Sequence, residues 1–110
     1  MKQRDICLAD LNPVEGNKQS GVRPVVVISG NAMNDNLNIC IVCPLTSNIK
    51  NYSGCLVLLK DDVNHLAQDS EVLTFQIRTI SKSRLTKKIG IISESQFKDI
   101  LDGLREVLTY

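Results

Sequence analysis

The chain reads as a small, strongly curved, mostly antiparallel β-barrel with one C-terminal helix. Three observations predict this. Seven short apolar or β-branched runs are separated mostly by turn-rich or polar segments. Helical periodicity is sustained only over the last eighteen residues. At 110 residues and 43% hydrophobic, the chain has the size of one ordinary domain that can bury a core without staples.

The strand candidates are residues 6–11, 25–29, 39–44, 55–59, 71–75, 78–80 and 89–92. Between the first two lies Asn12-Pro13-Val14-Glu15-Gly16-Asn17-Lys18-Gln19-Ser20-Gly21-Val22-Arg23-Pro24. Two glycines in that polar loop allow close backbone approach to a ligand. Val25 to Ile28 are β-branched and read as a buried strand, which puts Arg23 at the strand's root beside the loop. Pro24 biases Arg23 toward an extended backbone and so fixes where its side chain starts. A planar, permanently charged fork at such a place suits a phosphate or carboxylate. The Gly16-x4-Gly21 spacing is not a Walker loop, because Val22-Arg23 stands where Lys-Ser/Thr is needed. The order strand, loop, helix is missing as well.

Short helical turns are expected at residues 31–36 and 63–67. At the end of the chain, Ser93-Glu94-Ser95-Gln96 is a capping-box pattern. Phe97, Ile100, Leu101, Leu104, Val107 and Leu108 then recur on one apolar helical face. The domain therefore divides into a barrel over about 1–92 and a docked helix over about 93–109.

The four cysteines are Cys7, Cys40, Cys43 and Cys55. Cys40 and Cys43 have the C-x-x-C spacing, but positions three apart on a strand point to opposite faces. They read as small buried residues in a reducing compartment rather than as metal ligands. His65 is the sole histidine and reads as a solvated loop residue, which excludes a two-histidine acid/base pair. Asp61, Asp62, Asp69 and Glu71 lack calcium-loop spacing and read as a solvated face. There is no Gly-x-Ser-x-Gly elbow for a hydrolase. No run approaches membrane-spanning length and the N-terminus lacks a signal-peptide core, so the expectation is a cytoplasmic protein with no membrane contact.

Net charge is +1, so any polyanionic partner has to be met by a local patch. Residues 76–92 contain Arg78, Lys82, Arg84, Lys87 and Lys88 and no acid. Such a patch can attract a polyanion; lysines at a strand edge also serve simply to discourage strand pairing. In Cys43-Pro44-Leu45-Thr46-Ser47-Asn48 a strand end presents two hydroxyls and an amide, groups that bond phosphate oxygens or base edges but also make turns.

Together these segments resemble the MazF/PemK family of toxin endoribonucleases along nearly the whole chain. The similar stretches are Asp5-Ile6, Ala9-Asp10-Leu11-Asn12-Pro13, Gly16-x-x-Gln19-x-Gly21-x-Arg23-Pro24-Val25-Val26-Val27-Ile28-Ser29 and Cys43-Pro44-Leu45-Thr46-Ser47. Gln76-Ile77-Arg78-Thr79-Ile80, Arg84-Leu85 and Lys88-Ile89-Gly90 follow. The resemblance implies an SH3-like barrel of the MazF/CcdB/Kid type, acting as a homodimer. It implies sequence-selective cleavage of single-stranded RNA without metal or other cofactor, and neutralisation by a cognate antitoxin. Operator DNA would be met only through the antitoxin complex. In the family reaction the RNA 2′-hydroxyl attacks the neighbouring phosphate and leaves 2′,3′-cyclic phosphate and 5′-hydroxyl ends. By position, Arg23 and Thr46 match the catalytic pair. Lys18, Gln19, Ser47, Gln76, Arg78, Arg84 and Lys87 fall where substrate contacts are expected. The paired dimer surfaces are expected to include residues 75–80, where Phe75 and Ile77 alternate with Gln76 and Arg78.

Two departures stand out. Lys18 occupies a position where some members carry glutamate, and Phe75 stands where an acid is common. The first leaves the acceptor of the 2′-hydroxyl proton unassigned, since arginine is a poor base with a pKa above about 12. The alternative is a non-cleaving protein of the same fold, either a gyrase poison of the CcdB type or an antitoxin-binding, operator-regulating relative.

Overall fold

The computed structural model describes residues 1–12 and 21–110. The expectations for Lys18 and Gln19 lie outside the described residues. Among the described residues, seven strands and two α-helices follow one another as β1 (Asp5–Asp10), β2 (Val22–Val27), α1 (Asn31–Asn36), β3 (Ile39–Thr46), β4 (Leu56–Leu58), β5 (Ser70–Val72), β6 (Arg78–Ser81), β7 (Leu85–Ile91) and α2 (Glu94–Thr109). Every pairing is antiparallel, in the order β4-β5-β3-β2-β1-β7, with β6 also on β3. The N-terminal half of β3 pairs with β6 (Val42 opposite Arg78), and its last residues pair with β5 (Leu45 opposite Val72). Two register shifts in the β1–β7 ladder add local bend and twist, as bulges do. The sheet is thereby curled into a half-barrel.

Alternation along the strands splits the interior into two clusters. Ile6, Val26, Cys43, Leu45, Leu58, Val72 and Ile92 pack with Ile100 and Leu104 of α2. Cys7, Ala9, Val25, Val27, Cys40, Val42 and Ile80 form the other cluster. Cys40 and Cys43 therefore point to opposite faces, as their spacing requires. Burial pushes the Cys43 thiol up to about 12, with Cys55 a smaller cause, and burial also raises Cys7 and Cys40.

The α2 capping box forms: Ser93 Oγ accepts from the Gln96 N–H at 3.1 Å, and Gln96 Oε1 accepts from the Ser93 N–H at 2.9 Å. The buried stripe is narrower than the sequence face. Ile100, Gly103 and Leu104 are buried, whereas Leu101 and Leu108 are exposed. Leu101 is turned about 100° from Ile100 on the helix and so leaves the contact. Gly103 is a packing requirement, since a Cβ there would stand 2.1 Å from the Gly54 carbonyl oxygen.

Several element boundaries differ from the sequence expectation. The strand expected from residue 25 begins at Val22, because β1 keeps pairing as far as Asp10 opposite Val22. Arg23 is thus a strand residue. The run at 89–92 extends back to Leu85, where Ala9 is its partner. The strand expected over 71–75 ends at Val72 and passes into a 3₁₀ helix, Thr74–Gln76, so the alternation expected around Phe75 is not that of a strand. The helical turn at 31–36 forms as α1. At 63–67 a single turn closes two residues earlier than expected, over 61–65, with the His65 N–H donating to the Asp61 carbonyl at 3.1 Å; it goes no further, since the Asn64 side chain takes the Leu66 N–H at 3.0 Å.

Candidate nucleic-acid interface

Arg23 and Thr46 leave the β2–β3 ladder side by side. Val25 faces Pro44 across the ladder, and each of the two residues lies two positions beyond, on the same face of adjacent strands. Both line a cleft of about 510 Å³ together with Ser47. Leu8, Pro24, Leu45, Leu66 and Ile89 give that cleft an apolar floor. Arg23 also borders a second depression, about 460 Å³, lined by Asn12, Gln76 and Arg78. The guanidinium therefore stands between two compartments, one carrying hydroxyls and the other an amide and a second guanidinium.

The hydroxyl of Thr46 is oriented. Its Oγ1 accepts the Asn48 N–H at 3.1 Å, which leaves its proton to be donated outward. Among the described residues the Arg23 side chain has neither an acidic partner nor a hydrogen bond. A phosphate would thus meet an uncommitted two-pronged donor and a pre-aimed hydroxyl.

The basic run divides by use. Lys82 Nζ donates to the Asn34 carbonyl at 2.5 Å, and Lys88 pairs at 3.2 Å with Asp5, which is almost fully buried. Arg84 donates to the carbonyls of Asp10 and Asn12 and braces the exit from β1. Both bonds come from one guanidinium nitrogen, Nη1, so Arg84 is tied to the backbone on one prong of its fork. Arg78 and Lys87 are exposed, and their side chains have no partner among the described residues. Lys87 faces Leu8, a floor residue of the cleft. A larger groove of about 580 Å³ lies against α2, but Asp99, Asp102 and Glu106 outnumber Arg105 in its lining, the wrong sign for a polyanion.

Glu71 is not on a solvated face. It is 0% exposed, and its carboxylate accepts the N–H groups of Lys50 (2.8 Å), Asn51 (3.2 Å) and Tyr52 (2.8 Å). Thr46 is its partner across the β3–β5 ladder. One buried carboxylate therefore fixes the loop after Thr46 and Ser47. Tyr52 of that loop meets Phe75 edge to face, with centroids 5.1 Å apart.

His65 is the functional candidate the sequence misses. It lines the same cleft as Arg23, Thr46 and Ser47. Its φ of 53° is in the left-handed region, where histidine is one of the few side chains enriched. A lone histidine among polar residues carries no sequence signal for that placement; only the tertiary packing of its turn supplies it.

The family described as PemK-like, MazF-like toxin of type II toxin–antitoxin system covers residues 2–108. The chain belongs to that family. It is 37% identical over 105 residues to the endoribonuclease MazF of Staphylococcus saprophyticus, covering 94% of this chain and 88% of the relative. Its fold matches the Mycobacterium tuberculosis toxin MazF-mt6 with a TM-score of 0.80 at 24% identity, over 96% of both chains. Deinococcus radiodurans MazF matches with a TM-score of 0.80 at 23% identity, over 100% of this chain and 97% of that one. A MazE–MazF complex from the same organism matches with a TM-score of 0.75 at 22% identity, over 99% and 95%. The expected barrel with its C-terminal helix is the fold of these MazF/PemK toxins.

Proposed function

We propose that this protein is an endoribonuclease toxin that cuts single-stranded RNA by internal attack of the 2′-hydroxyl. The observation that carries the reading is the shared cleft of Arg23 and Thr46, in a family member related to a MazF endoribonuclease. The 2′-oxygen forms its bond to phosphorus as the bond to the 5′-oxygen breaks. Arg23 holds the non-bridging oxygens and stabilises the charge gained by the pentacoordinate state. Thr46 donates a hydrogen bond from its hydroxyl to the same phosphate. Because the nucleophile belongs to the substrate, Arg23 and Thr46 have only to position the phosphate and stabilise its charge, and the reaction runs without a metal cofactor. Ser47, Gln76, Arg78 and Lys87 line the path of the strand on either side of Arg23.

The toxin acts in the cytoplasm as a two-fold dimer, held in check by a cognate antitoxin. Phe75 and Ile77 are 45% and 37% exposed, apolar surface that a second copy would cover. Any operator DNA is contacted through the antitoxin complex.

The test is an RNA oligonucleotide beside a copy with 2′-deoxyribose at the scissile position. Cutting of the first alone, undiminished in EDTA, with a 2′,3′-cyclic phosphate end, is expected. Equal cutting of both rejects the mechanism. Light scattering at micromolar concentration tests the dimer, and a monomer mass with full activity rejects it.

A further inference from the structure

We infer that His65 is the proton acceptor for the 2′-hydroxyl. The inference rests on the ribonuclease reading above and supplies the group that Arg23 and Thr46 cannot provide. Imidazole is the side chain whose ordinary titration falls near neutrality, so its neutral form can take a proton at physiological pH. His65 and Arg23 are the only charged or titratable groups lining the cleft among the described residues.

The turn that carries His65 is built to hold it. Asp61 Oδ1 accepts the N–H groups of Asn64 at 2.7 Å and Val63 at 2.8 Å, and these bonds keep the carboxyl below its ordinary pKa. Asn64 is buried; its Nδ2 donates to the Leu59 carbonyl at 2.9 Å, and its Oδ1 accepts from the N–H groups of Asp61 and Leu66, both at 3.0 Å. Leu66 is buried on the other side. The turn is seated on β7, where a Cβ at Gly90 would stand 2.1 Å from the Asn64 carbonyl oxygen, and the Ile91 N–H donates to the Val63 carbonyl at 3.2 Å. His65 is thus an exposed side chain between two anchored neighbours, in a backbone conformation few side chains adopt. Asp61, on the same turn, is close enough to interact electrostatically with it, and Arg23 is the charged group that lines the cleft with it.

The step balances simply. The neutral imidazole takes the 2′-hydroxyl proton as the O2′–P bond forms and the P–O5′ bond breaks. The 5′-oxygen leaves with a proton from water, and the imidazolium returns its proton to solvent.

The experiment compares wild type, His65→Asn and His65→Gly on an RNA oligonucleotide at saturating concentration between pH 5 and 9. Asparagine and glycine both accept the left-handed backbone, so the fold survives. Both variants should lose activity by about 10²-fold or more, together with the acidic limb of the wild-type pH–rate profile. Added imidazole should restore activity to His65→Gly. Undiminished activity in His65→Asn, or retention of the acidic limb in either variant, overturns the assignment. An RNA with a 5′-bridging sulfur leaving group separates the roles: recovery of the variants on it would make His65 a donor to the leaving group and overturn the acceptor role. If wild type itself fails to cut RNA, the functional reading falls instead.

Discussion

Replacing Glu71 with glutamine tests how the site is held. The side chain keeps its shape, but one oxygen becomes an NH₂ group and the charge is lost. The two bonds from Lys50 and Asn51 to Oε1 can persist as neutral ones, while the NH₂ group then faces the Tyr52 N–H, donor against donor. Weakening two charge-assisted bonds costs about 0.5–1.5 kcal/mol each, and one unsatisfied donor costs about 1–3 kcal/mol. The loop donors can regain water in part, so the net loss is about 2–4 kcal/mol. For a domain of this size each kcal/mol lowers Tm by about 4 °C, giving a fall of about 8–16 °C. Thermal unfolding followed by circular dichroism reads this directly, and urea titration should show a lower midpoint at unchanged slope. Amide exchange at Lys50, Asn51 and Tyr52 should accelerate first, since those are the groups released. A Tm within about 3 °C of wild type would show that the three bonds do not hold the loop.

Arg23→Ala should lower the cleavage rate at saturating RNA by about 10²–10³ while leaving Tm unchanged, and Arg23→Lys should also be poor because a point charge cannot replace the fork; near-native turnover in either removes Arg23 from the chemistry. Cys43 gives a pH dependence with a defined sign. Its folded pKa is raised from 9.0 to about 12, so its stabilising contribution is complete below pH 9 and is lost as pH rises toward 12. The loss is at most about 1.4 kcal/mol per pH unit from this group, and urea midpoints measured from pH 8 to 11 in wild type and Cys43→Ala should show a shallower decline in the variant. Neutralising Arg78 and Lys87 together should weaken RNA binding and reduce the slope of log affinity against log salt by about 1–2, as measured by anisotropy; an unchanged slope would place the strand elsewhere.

The legible parts of the chain were those with local chemistry. The α2 cap could be read because Ser93 and Gln96 are three residues apart and bond each other. The strands could be read from short apolar and β-branched runs between turn-rich segments, and the pairing of Arg23 with Thr46 from two motifs and the family resemblance. What stayed hidden depends on partners distant in sequence. Glu71 looks like a surface acid until the loop that folds over it, about twenty residues upstream, brings it three N–H groups. The brace that Arg84 Nη1 makes to the end of β1 and Asn12 has no local signal either, because those carbonyls lie more than seventy residues earlier. His65 enters the cleft only because its turn is pressed onto Gly90. The 3₁₀ helix at Thr74–Gln76 reads as strand because Thr74 and Phe75 favour strands, while the hydroxyl bond from Thr74 to the Gly54 carbonyl at 2.7 Å is not local.

β3 has a consequence beyond holding the sheet together. Its side chains enter both apolar clusters, Cys40 and Val42 in one and Cys43 and Leu45 in the other. The strand is a common wall, so neither cluster can melt without removing a side of the other. Unfolding should then be all-or-none, with no half-open species in which one cluster survives. Thr46 terminates that wall. A molecule damaged enough to expose either cluster to a protease has therefore already lost the hydroxyl beside Arg23, and partial degradation yields no fragment that still cuts.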